Sequence, residues 1–128
     1  SEQLQIINIK ENNMLTSEKI IVESDGDIEI VATIVAGFDY LNNFVVQYDF
    51  EDYREGGKDY THSAVVDEED AKVMAKRLKI AYTDLPKALD DEFGDTTDLL
   101  VPSEVEAVYK DILDFILDCG AKYRLKMG

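Results

Sequence analysis

The stretch Phe44-Val45-Val46-Gln47-Tyr48-Asp49-Phe50-Glu51 decides the fold class. Phe44, Val46, Tyr48 and Phe50 fall on one side of an extended chain, and Val45, Gln47, Asp49 and Glu51 on the other. Strand side chains alternate between faces with a period of two, so this run predicts a strand with one buried and one wet side. Working upstream, Ile28 to Val35 sets Ile28, Ile30, Ala32 and Ile34 against Glu29, Val31, Thr33 and Val35, which predicts a central, mostly covered strand. Lys19 to Glu23 is a shorter β-branched run. Ser24-Asp25-Gly26-Asp27 joins the two, and an Asp-Gly pair between such runs signals a hairpin, because glycine accepts a positive φ. Leu4 to Ile9 is a further candidate strand. Downstream, Gly56-Gly57 marks a turn, and Tyr60 to Val66 is expected to return as another strand.

The periodicity changes at Asp67. Asp67-Glu68-Glu69-Asp70 suits the positive end of a helix dipole, with Asp67 as the expected cap and Asp70 in the capping-box position. Ala71, Met74, Ala75 and Leu78 form the expected buried stripe. Thr83 or Asp84 is expected to cap a second helix through Phe93, with Pro86 in its first turn and Gly94 as its stop. Pro102 opens a third helix to Cys119, whose expected core face is Val101, Val105, Val108, Ile112, Phe115 and Cys119. Residues 121–127 offer an edge strand. Strands first and helices after predict an α+β fold: an N-terminal antiparallel sheet of four to five strands, then three helices packed on one face. The chain has 128 residues and no repeat or linker, so one domain over residues 1–128 is expected. The expected core is Ile21, Ile30, Ile34, Phe44, Val46, Tyr48, Met74, Leu78, Val105, Val108, Ile112 and Phe115.

Charge narrows the function classes. Asp and Glu number 28 against 13 Lys and Arg, a formal net charge of −15. Binding nucleic acid through its backbone needs lysines and arginines to displace counterions, and an anionic membrane surface needs the same. Neither is expected here. A single cysteine, Cys119, makes no intrachain disulfide, and no apolar run reaches the length of a membrane span. These features predict a soluble cytoplasmic protein, a monomer or weak dimer that needs no metal or cofactor.

Catalytic signatures are weak. His62 is the only histidine, and its neighbour Ser63 would point to the opposite face of a strand, so the two cannot act as base and nucleophile together. Cys119 falls at the C-terminal end of a helix, where the dipole disfavours a thiolate. The run Asp90 to Asp98 is rich in oxygen ligands but fails the EF-hand spacing. One Cys and one His are too few for a zinc site. Gly56-Gly57-Lys58 lacks the first glycine and the Ser or Thr of a phosphate loop. A helix–turn–helix over residues 71–93 would carry Asp84, Asp90, Asp91 and Glu92 on its reading helix.

What remains is the acid itself. On the third helix Glu104, Asp111, Asp114 and Asp118 lie near one outward stripe with Ala107 between them. Like charges at i+3 and i+4 repel, and Asp114 and Asp118 approach the end of the dipole that disfavours carboxylates. Lys122, Arg124 and Lys126 alternate along the tail and can neutralise that stripe by folding back on it. Tyr53 and Tyr60 stand among Asp49, Glu51, Asp52 and Glu55, where exposed tyrosines suit contact with arginines. Two readings of this charge stay open: a solvated surface that keeps the chain soluble, and a dedicated acidic face made of Glu104, Asp111, Asp114, Asp118, Asp49, Glu51, Asp52, Tyr53, Glu55 and Tyr60. The second predicts a non-enzymatic protein that docks on a basic, nucleic-acid-handling partner. In size and charge the chain resembles the small acidic DNA-mimic inhibitors of phages and the immunity proteins of nuclease toxins; no motif carries the likeness. The alternative is a small ligand-binding or hydrolytic domain with a carboxylate and His62 in a cleft.

Overall fold

A computed structural model describes residues 15–24, 29–94 and 101–127. Its sheet has five antiparallel strands in the order β1 (Thr16–Glu23), β2 (Ile30–Phe38), β3 (Phe44–Asp52), β4 (Tyr60–Val66) and β5 (Arg124–Met127). Helices α1 (Glu68–Leu78), α2 (Leu85–Phe93) and α3 (Pro102–Asp118) come between β4 and β5, with a 3-10 turn, Tyr82–Asp84, leading into α2. The expected α+β architecture is therefore found. The candidate strand Leu4 to Ile9, the Asp-Gly turn at residues 25–27 and Ile28 lie outside the described residues.

Alternation builds the core. Ala32, Ile34, Ala36 and Phe38 of β2, Phe44, Val46 and Tyr48 of β3, and Ala64 and Val66 of β4 all bury against the helices. Within β1 the register shifts between Ile20 and Val22. The extra residue turns the strand, and Ile21 and Val22 are both buried. Helix α2 packs on β1, and α3 packs on β2 and β3. The opposite face carries Val31, Thr33, Val35, Val45, Gln47, Asp49, Thr61, Ser63 and Val65, as the strand registers require.

Several local expectations change. In α3 the buried residues are Val105, Tyr109, Ile112 and Ile116, so the core stripe is rotated from the expected one toward β4. Val108 and Phe115 are only partly buried. Phe115 meets Phe93 of α2 edge-on, with ring centroids 5.4 Å apart. Val101 is exposed, and Ile30 and Leu78 are half-buried.

Asp67 makes no side-chain cap bond on α1. Asn43, in the β2–β3 loop, fills that role: its Oδ1 accepts the Glu68 N–H at 3.1 Å. Asp67 instead accepts a hydrogen bond from Arg124 Nη2 of β5 at 2.9 Å. Neither Thr83 nor Asp84 caps α2 through its side chain; the 3-10 turn delivers the chain into the helix with Pro86 near its start, where a missing N–H costs nothing. The β3–β4 turn needs a positive φ at Gly56 (78°), the conformation that glycine adopts without strain.

Candidate functional site

The outward arc of α3 is acidic. Glu104, Asp111, Asp114 and Asp118 are all exposed, as is Ala107 among them. This follows from the helical period, since the buried stripe from Val105 to Ile116 occupies the opposite arc. Glu104 serves its own helix, because its Oε1 accepts the Val101 N–H at 3.2 Å and satisfies a group at the helix start. Asp111, Asp114 and Asp118 have no such role. Among the described residues they form no ion pair, the pairs being Lys19–Asp90, Arg54–Asp52, Lys87–Asp91 and Arg124–Asp67. The three span about 10 Å along the helix at 1.5 Å per residue.

The basic tail does not fold back on this stripe. Strand β5 pairs with β4 through Arg124↔Val65, Leu125↔Ala64, Lys126↔Ser63 and Met127↔His62. That register aims Arg124 and Lys126 toward the sheet face that carries Val65 and Ser63, away from α3. The strand ladder wins over the charge pairing, because each backbone N–H and C=O it satisfies is an obligatory partner.

The hairpin acids are largely spoken for. Arg54 grips Asp52 through Nε and Nη2 at 2.9 and 2.8 Å, and these hydrogen bonds hold the Asp52 carboxyl below the usual range. The Asp52 N–H donates to Asp59 Oδ1 at 2.8 Å. The Tyr53 hydroxyl donates to the Glu51 carboxylate, which pushes the phenol up. Asp49 accepts hydrogen bonds from Thr61 Oγ1 at 2.9 Å and from Gln47 Nε2 at 3.0 and 3.1 Å. Glu55 is exposed on the turn, and Tyr53 is 64% exposed. Asp49 and Glu51 lie on the sheet face away from the helices, so the structure does not bring them onto one surface with the α3 stripe.

Tyr60 and His62 point to the helix side. Tyr60 stacks on Phe50 with centroids 4.7 Å apart and planes at 16°. The His62 ring lies 5.0 Å from Tyr60 and 6.4 Å from Tyr48. Burial, with Tyr60 and Glu106 nearby, pushes the Tyr48 hydroxyl well above its ordinary range. The Tyr109 hydroxyl of α3 donates to the Val46 and His62 carbonyls at 3.4 and 3.3 Å, and its burial likewise raises it. This aromatic group is not visible as a unit in the sequence. Its signal is the pairing Tyr48↔His62 and Phe50↔Tyr60, which alternation yields once the β3–β4 register is known.

Ser63 is on the other face, where its hydroxyl donates to Gln47 Oε1 at 3.5 Å. A shallow concavity of about 480 Å³ opens there, lined by Tyr40, Val45, Gln47, Thr61, Val65 and Lys126 among others. His62 and Ser63 are thus on opposite sides of the sheet, as strand geometry requires. Cys119 is buried at the end of α3, and burial raises its thiol, which weakens it as a nucleophile. Among the described residues no three His, Cys, Asp or Glu side chains gather as a metal site. Asp95 and Asp98 of the acidic run lie outside those residues. No described helix is long and apolar enough to cross a membrane. Comparison of the chain with family models, with curated proteins and with solved structures finds no match.

Proposed function

We propose that this chain is a non-enzymatic acidic binding protein that docks the outer arc of α3 on a basic protein partner. In its sharpest form it is an inhibitor or immunity-type protein that occupies a nucleic-acid-binding surface by imitating phosphate charge. The observation that carries the reading is the condition of Asp111, Asp114 and Asp118: exposed, and without an ion pair among the described residues. Asp114 and Asp118 also stand at the helix end that disfavours them. A stripe that breaks a local rule is a candidate for function, and rigid carboxylates pair with the lysines and arginines that otherwise contact phosphates. The alternative reading, a ligand-binding or hydrolytic cleft, needs His62 and a carboxylate to share a cavity with its ligand. His62 sits in the aromatic group on the helix side, and the concavity opens on the other face.

The test is retrieval of partners from the native host by the wild-type chain and by Asp111→Lys/Asp114→Lys, at low and at physiological salt. A basic, nucleic-acid-handling protein is expected, captured by the wild type, lost with the variant and weakened by salt. The chain itself should bind neither DNA nor RNA. A neutral or acidic partner, or capture that ignores salt, overturns the proposal, and loss with Tyr53→Ala instead would move the contact to the hairpin.

A further inference from the structure

The sheet face that turns away from the helices holds a second apolar cluster. Val35 of β2, Val45 of β3 and Val65 of β4 are 7%, 4% and 5% exposed. Register makes them neighbours: Val45 pairs with Val65 across β3–β4, and with Gly37, two residues after Val35, across β2–β3. None of the three belongs to the core between sheet and helices, because alternation turns them away from it. The buried residues of α1, α2 and α3 all lie in that core, so the described helices leave the outer face to something else. A sheet face open to water carries wet side chains. Ile20 of the edge strand, which pairs with Val35 on this face, is 55% exposed. The three valines are dry, so they are covered.

They are buried within a single molecule, so what covers them belongs to this chain. Leu15, where the described chain begins, stands on the same face. It lines the concavity together with Val45 and Val65, and it lies so close over Gly37 that a Cβ there would come within 2.7 Å of the Leu15 Cβ. Residues 1–14 lead into that position and supply Leu4, Ile6, Ile7 and Ile9, with only Glu2, Lys10 and Glu11 as charged side chains. Their reach suffices: even at the 1.5 Å rise of a helix such a length spans about 21 Å, whereas β2 and β4 are two strand spacings, about 10 Å, apart. Residues 25–28 follow the other end of β1, and residues 95–100 connect two helices of the opposite layer. A second copy would set a net charge of −15 against another −15, while a segment tethered at Leu15 meets no cost of association. We infer that residues 1–14 close the outer face of the sheet, with Leu4, Ile6, Ile7 and Ile9 packed on Val35, Val45 and Val65, so that the sheet is the middle of three layers. The inference stands apart from the docking reading, because α3 lies on the opposite side.

Methyl NMR on the full chain, labelled at isoleucine and valine, tests it. Nuclear Overhauser contacts are expected between Ile6, Ile7 or Ile9 and Val45 or Val65. Ile6→Asp/Ile7→Asp should remove those contacts and shift the methyl signals of Val35, Val45 and Val65. The signals of Ile112 and Ile116, which are fully buried in the helix-side core, should stay in place and so report that the variant is folded. If the variant unfolds, the wild-type contacts decide alone. Their absence in the wild type overturns the inference, as do valine signals that a folded double variant leaves unmoved. In an equimolar mixture of labelled and unlabelled chains, isotope-filtered contacts that cross between molecules overturn it in favour of a second copy.

Discussion

Asn43 caps a helix that begins 25 residues after it: its Oδ1 accepts the Glu68 N–H at 3.1 Å. Asp39 holds it in place, accepting from the Asn43 N–H at 2.9 Å and from Nδ2 at 3.2 Å. The start of α1 is therefore tied to the β2–β3 loop and not to its own flanking residue. Asn43→Ala should lower stability in urea unfolding by about 1 kcal/mol, the usual worth of a cap. Asp67→Ala removes only an exposed pair with Arg124 and should cost less than about 0.5 kcal/mol. The reverse order would return the capping role to Asp67.

The rotation of α3 makes a second ranking. Ile112 and Ile116 are fully buried, whereas Phe115 is only partly so and packs at the α2 seam. Ile112→Ala and Ile116→Ala should each cost about 2–5 kcal/mol through transfer and cavity terms, and Phe115→Ala should cost less than either. Equilibrium denaturation of the three variants measures this, and a larger loss at Phe115 would restore the stripe expected from the sequence.

Function and stability should pull in opposite directions at the end of the same helix. Replacing Asp114 or Asp118 with lysine removes a carboxylate from the negative end of the dipole and supplies the favoured sign. Each change should stabilise the chain by about 0.3–1 kcal/mol. The thermal midpoint should rise, while under the proposed docking function Asp114→Lys should weaken capture of a basic protein. A variant less stable than the wild type would mean that these aspartates have a structural role.

Alkaline titration tests the buried phenols. Burial raises Tyr48 and Tyr109 far above the ordinary value and pushes Tyr82 up to about 12, with Glu68 and Asp39 adding to the last. In the unfolded chain all three ionise near pH 10. Their contribution to stability is therefore complete below about pH 10 and is lost as pH rises through the folded values, because the unfolded state then binds fewer protons. Phenolate absorbance should show these tyrosines ionising only as the chain unfolds. Titration of all seven tyrosines near pH 10 with the fold intact would contradict their burial.

What the sequence makes legible is what a single element determines. The alternation of Phe44, Val46 and Tyr48 against Val45, Gln47 and Asp49 sets the two faces of β3 before any partner strand is known. The exposure of Glu104, Asp111, Asp114 and Asp118 likewise follows from the period of one helix. What escapes depends on contacts distant in the chain. The apolar arc of α3 is broad enough to accept either Phe115 or Ile116 as its centre, and Tyr109 reaching the β3 and β4 carbonyls decides between them. Asp67 looks like a cap, but nothing local to it announces Asn43. The alternating bases of the tail suit both an acidic helix and an edge ladder, and the unpaired side of β4 selects the ladder. The aromatic group around His62 needs the β3–β4 register before its members can be seen as neighbours.

The strand order has a further consequence, for synthesis. A ribosome delivers β1 to β4 in order, each pairing with the one before it, but β5 arrives only after the whole helical layer. Until then one flank of β4 presents unmated backbone groups, the kind of edge on which nascent chains join one another. Closing it requires one of the most distant pairings in the sheet, which topology makes slow. During that interval a strongly negative chain keeps its half-made copies apart. Like charge therefore opposes association of neighbouring nascent chains before the last strand is in place.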